Sequence, residues 1–178
     1  NTQKKGELER ALLNAETQAE IIRMTGEFLR NPANAYSLVP ATIPELAEAI
    51  EAYNEIVLKR MELQNSANPN NTMLKLMSQQ IDAMRENIIT SIDRAQASAD
   101  LSVKEIKGRK EIAESKLGNI PTQEREFLTL KREQLVKQNL YTFLLQRGEE
   151  TSMLLANAVP KGIIVDEAYT LNKPLGLG

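Results

Sequence analysis

The sequence predicts a mainly α protein: long antiparallel helices in a hairpin or coiled-coil bundle, with one short C-terminal strand. Three observations carry that expectation. Apolar residues recur at steps of three and four over most of the chain, the spacing that gathers them on one helix face. Alanine, leucine, glutamate, lysine, glutamine and arginine dominate, as in long helices, while four tyrosines, three phenylalanines and no tryptophan are few for a compact globule. After Pro160 the period changes to the β-branched run Ile163-Ile164-Val165, which has the composition of a short strand.

The first helix is expected over residues 7–30. Leu8, Leu12, Ala15, Ala19, Ile22 and Leu29 form a heptad seam with Gly26 in its gap, so this helix must pack against another. Asn31-Pro32 ends it, because a residue before proline is pushed out of the α region. Residues 31–41 form a connection in which Tyr36-Ser37-Leu38-Val39 has the form of a short strand. Thr42-Ile43-Pro44-Glu45 then reads as a capping box with proline inside the first turn. It opens a helix over 43–65 that carries Leu46, Ile50, Tyr53, Val57 and Met61. Turn formers from Asn65 to Asn71 make the next loop.

The longest periodic run covers 73–117. Met73, Met77, Ile81, Met84, Ile88, Ile92, Ala95 and Ala99 continue in phase through Val103, Ile106, Ala113 and Leu117, with a polar interruption at Lys110. Unbroken, such a helix spans ~65–70 Å at 1.5 Å per residue, which implies a rod or hairpin. Ser98 to Ser102 and Gly108 are the places where it would bend. Gly118-Asn119 ends it as a C-terminal cap. Pro121 opens the last helix, 121–157. Leu128, Leu135 and Phe143 lie on one line of it, and Leu130, Val136, Leu140, Leu144 and Leu155 on a neighbouring one. A helix apolar over two lines contacts more than one partner. The strand is expected at 163–166, with a loose tail after Leu171. Together these predict a single elongated helical domain over 1–178, and the mid-pattern start at NTQKK suggests a piece of something longer.

Several classes of chemistry have no footing here. The chain holds no histidine and no cysteine, which removes Ser-His and Cys-His pairs and imidazole metal sites. No glycine-rich phosphate loop of the GxxxxGK[ST] or GxGxxG type occurs. The net charge of −2 gives no electrostatic case for nucleic acid or anionic membrane. No run of ~20 apolar residues spans a bilayer. No cofactor is expected.

Individual residues have a plain reading beside a functional one. Arg132 lies between Leu128 and Leu135 on one helical line. Either its head snorkels to water over a packed stem, or it makes an inter-helix or subunit contact, for which a buried arginine needs a carboxylate. Glu149-Glu150 resembles an acid/base pair on paper. Neighbours on a helix point about 100° apart, however, so with Arg147 beside them they read as a solvated or ion-paired face. Tyr141, beside Phe143 and Leu144, reads as a core residue with its hydroxyl at the rim rather than as a phosphorylation or ligand site. Met61, Met77 and Met84 read as packing.

An ordered series of residues also carries a resemblance. It runs Pro121, Glu124-Arg125-Glu126, Leu128, Arg132, Leu140-Tyr141, Leu144-Leu145-Gln146, Glu149-Glu150, Asp166 and Ala168. Upstream stand Tyr53-Asn54-Glu55, Arg60, Asn68-Pro69, Gln80-Ile81, Arg85-Glu86-Asn87-Ile88 and Ser91-Ile92. The series resembles the extracytoplasmic region of Wzz/Wzc-type polysaccharide co-polymerases, closest to the branch fused to a cytoplasmic tyrosine autokinase. After Ala168 the chain has one proline where that family has a proline-rich return to the membrane.

The resemblance implies a periplasmic scaffold of a bacterial inner-membrane protein. Such a scaffold oligomerises and helps set the length and export of capsular or exopolysaccharide. It implies copies of itself and the polymerase and export machinery as partners. The membrane helices and any kinase domain would lie outside this chain, which would have no catalysis of its own. Pro121, Glu124, Arg132, Tyr141, Leu144, Leu145, Glu149 and Glu150 are then the contact candidates. The rival reading is a helical-hairpin adaptor of a secretion or efflux system, which uses similar helices but is normally flanked by β-rich lipoyl-like segments. A helical carboxylate hydrolase has no converging cluster to support it.

Overall fold

A computed structural model describes residues 2–66, 68, 71–118 and 120–158. Among these residues the chain forms four α-helices, two 3-10 turns and no strand, so the fold is mainly α. The expected strand at 163–166 lies outside the described residues.

Helix α1 spans Thr2–Arg30 and begins ahead of the expected residue 7. Gln3, Lys4 and Lys5 add nothing to the apolar seam, but they are good helix formers and extend the turn already present. The chain leaves α1 at Asn31 and makes a 3-10 turn at Pro32–Asn34. The strand expected at Tyr36–Val39 does not form. Its backbone is served by a side chain instead: the Val39 N–H donates to Asn54 Oδ1 at 2.8 Å, and Asn54 Nδ2 donates to the Val39 carbonyl at 2.8 Å. One amide thereby satisfies both polar groups of a buried residue, the service a neighbouring strand would give.

The expected capping box does not form as drawn. Ile43, not Thr42, stands at the N-cap, without a side-chain cap bond, and a 3-10 turn at Pro44–Leu46 leads into α2, Ala47–Ser66. Proline fixes the entry through its preset φ, which leaves the hydroxyl cap redundant. Helix α3 runs unbroken over Thr72–Leu117, through Ser98–Ser102 and Gly108. Asn71 opens it: its Oδ1 accepts the Met73 N–H at 2.8 Å. Gly118, at φ 100°, closes it in the left-handed conformation that glycine adopts without strain. Helix α4 spans Thr122–Ala158. The Pro121 carbonyl accepts the Arg125 N–H at 3.1 Å, so Pro121 sits just ahead of the first turn.

The helices divide between two compact units. The first holds α1, α3 from Ile89 onward and α4 up to Leu145. Leu12, Ile21, Ile22, Leu29, Ile92 and Leu140 are buried there. Gly26 marks a close approach of α1 to α3, since a Cβ on it would stand 3.2 Å from Ile92 Cγ2. The second unit holds Pro32–Ile88 and the described residues from Gln146. Its interior includes Val39, Ile43, Ile50, Tyr53, Val57 and Ile81. Among the described residues, no helix is long and apolar enough to cross a membrane.

Candidate functional site

The first unit is tied together by charge. Arg132 of α4 is buried, with only 7% of its surface exposed. Its Nη1 donates to Glu9 Oε1 at 2.8 Å and its Nε to Glu16, so one guanidinium spans two carboxylates of α1. Glu9 and Glu16 are seven residues apart, two helical turns on one face. Lys110 of α3 reaches the same cluster, with Nζ 2.7 Å from Glu9 Oε2 and 3.7 Å from the buried Glu114. Arg125 extends the chain of charges to Glu114 at 4.0 Å. Burial by itself would push the Glu9 carboxyl upward. Hydrogen bonds from Lys110 and Arg132 outweigh it and hold the group below its ordinary value.

Of the two readings of Arg132, the inter-helix contact is the one observed. Lys110, the polar interruption in the α3 seam, is explained by the same cluster. Glu9, Glu16 and Glu114 were not singled out from the sequence. The available signal was two cations, Lys110 and Arg132, each sitting in phase with apolar residues; buried cations require facing acids.

A second cluster lies in the second unit and gathers residues of the upstream series. The Tyr53 hydroxyl donates to the Ala35 carbonyl at 3.2 Å and accepts from Arg85 Nε at 3.2 Å. Arg85 also bonds the Ala35 carbonyl and pairs with Asp82 at 2.9 Å. The Arg60 guanidinium stacks 3.7 Å from the centre of the Tyr36 ring, and its Nε donates to Ser78 Oγ at 3.0 Å. Burial raises the Tyr53 hydroxyl above its ordinary pKa, against the pull of Arg85, so it stays a neutral donor. Tyr53, Asn54, Arg60 and Arg85 therefore pin the 35–39 loop.

The remaining candidates are not brought together into a reactive group. Pro121 and Glu124 are exposed at the start of α4. Glu149 and Glu150 are exposed, and Glu150 pairs with Arg147 at 2.7 Å. Tyr141 is 69% exposed, which corrects the expectation that it lies in the core. Leu130 and Leu144 are exposed as well, along with Phe127 and Leu145. The packed side of α4 is taken by Arg132 and Leu140, and this row of apolar residues faces away from it.

A groove of about 990 Å³ between α1 and α3 carries both signs of charge, but Arg23 is held by Glu20 and Glu27, and Arg30 by Asp93. No grouping of acids able to hold a metal ion occurs among the described residues. No protein-family model, no curated protein and no solved structure matches this chain.

Proposed function

We propose that this chain is an association scaffold: the periplasmic helical part of an inner-membrane polysaccharide co-polymerase that helps control the length and export of a capsular or exopolysaccharide. It has no catalysis of its own in this reading. Its partners are copies of itself and the polymerase and export machinery, and any tyrosine autokinase domain belongs to the rest of the parent protein.

One observation supports the reading above the others. Arg132 turns inward to Glu9 and Glu16, while Tyr141, Leu144 and Leu145, residues of the resembling series, stand on an outward apolar face of α4. Interior ties hold the helices, and an exposed apolar row is the part left for contact with other molecules.

The test is made in the parent protein. Tyr141→Ser with Leu145→Ser should shift the length distribution of the surface polysaccharide, read on gels, at unchanged protein level. An unshifted distribution overturns the reading. In a parent chain cleared of any other cysteine, a single Glu149→Cys can also report location: a membrane-impermeant maleimide should label it on intact spheroplasts. Labelling only after lysis overturns the periplasmic assignment.

A further inference from the structure

The exposed row on α4 has a regular spacing. Phe127, Leu130, Gln134, Lys137, Tyr141 and Leu144 alternate steps of three and four, which makes a second heptad seam. All six are exposed, Phe127 to 64%. The seam is ~27 Å long at 1.5 Å per residue and lies wholly within the first unit.

Its order is close to a palindrome about the midpoint between Leu135 and Val136. Phe127 and Leu130 stand on one side, Tyr141 and Leu144 on the other, and Gln134 and Lys137 flank the centre. We infer that this seam binds the same seam of a second copy of the chain, with the two α4 helices antiparallel. Phe127 then meets Leu144 of the second copy, and Leu130 meets Tyr141, on both sides of a twofold axis. A self-complementary patch is what an isologous contact requires.

Charge selects the orientation. A parallel pair would set Lys137 against Lys137 in the seam, a like-charge contact that disfavours the pair. The antiparallel pair sets each Lys137 against Gln134, with Glu133 of the other copy one residue along. The inference does not rest on the polysaccharide reading, since α4 alone carries it. An isologous contact also closes after two copies, so it joins pairs and does not extend a wall of side-by-side subunits.

The absence of cysteine makes the test direct. Phe127→Cys and Leu144→Cys chains are oxidised separately and as an equimolar mixture. Antiparallel pairing predicts mixed disulfide dimers well above the share given by random collision, and little self-linking. Self-linked Phe127→Cys dimers in equal or greater yield overturn the orientation. Linkage no greater than that of Ser115→Cys, an exposed residue of α3 off the seam, overturns the pairing, as when another part of the chain covers the seam. Helical circular dichroism of each variant checks folding. Lys137→Leu should strengthen association and let the self-linked dimers appear; an unchanged bias removes the charge argument.

Discussion

Replacing Arg132 with methionine keeps most of the packed stem and deletes the charge. Glu16 loses the guanidinium it is bonded to, while Glu9 keeps Lys110 at 2.7 Å. Removing one partner of a fully buried pair costs roughly 3–5 kcal/mol. The Glu9 and Glu16 side chains are 30% and 24% exposed, so water compensates part of the loss. The expected destabilisation is about 2–3 kcal/mol, or a melting temperature lower by roughly 5–10 °C for a chain of this size.

Urea unfolding followed by circular dichroism at pH 7 measures it. Arg132→Lys should fall between the two, because an ammonium cannot span both carboxylates as the planar fork does. The pH dependence has a definite sign. Burial raises the Glu9 carboxyl, and Lys110 and Arg132 more than reverse that, so its folded pKa lies below the ordinary 4.5. Its contribution is complete above the unfolded value and fades as pH falls through the folded one. Wild type should therefore lose stability more steeply than Arg132→Met below about pH 4.5, and the two curves should converge in acid. Equal stability at pH 7, or curves that diverge in acid, would refute the account of the cluster as a tie between α1, α3 and α4.

The other predictions concern backbone and packing. Gly108→Ala should stabilise by roughly 0.5–1 kcal/mol in thermal melts, since nothing lies within 4 Å of its added Cβ and alanine is the better helix former. Gly26→Leu should cost about 1–3 kcal/mol, because Ile92 occupies the space into which that side chain must grow. Asn54→Leu removes both bonds to Val39 and should cost about 2 kcal/mol, with faster protease cleavage in the 35–41 loop as the local readout. Gly118→Ala forces a Cβ into a backbone at φ 100° and should cost about 1 kcal/mol in urea unfolding.

Spacing in the sequence was enough for the helices, because the 3.6-residue period is a property of the local backbone. The α3 seam and the stop at Gly118 could be read from residue order; of the loop expected from Asn65 to Asn71, residues 67, 69 and 70 lie outside the described residues. The strand reading of Tyr36–Val39 failed for a non-local reason: its hydrogen-bond partner is the Asn54 side chain, brought in by α2. The capping reading at Thr42 failed because proline sets the chain path one residue further on.

The candidate site was legible only in part. Arg132 stood out as a charge in apolar phase with two readings open, snorkelling or a carboxylate-paired contact, and Lys110 only as an interruption of the α3 seam. Which acids could not be read, because Glu9 is more than a hundred residues from both in sequence. Periodicity likewise marked α4 as apolar along two lines, but the structure splits the second of them: Leu140 is buried while Leu130 and Leu144, expected beside it, are exposed. Coulomb contacts and burial depend on distance through space, and only the tertiary fold decides which distances are short. The sequence by itself thus determined the helices, through the 3.6-residue period of their apolar residues. The tertiary structure decided that Arg132 and Leu140 face inward while Phe127, Leu130 and Tyr141 face out.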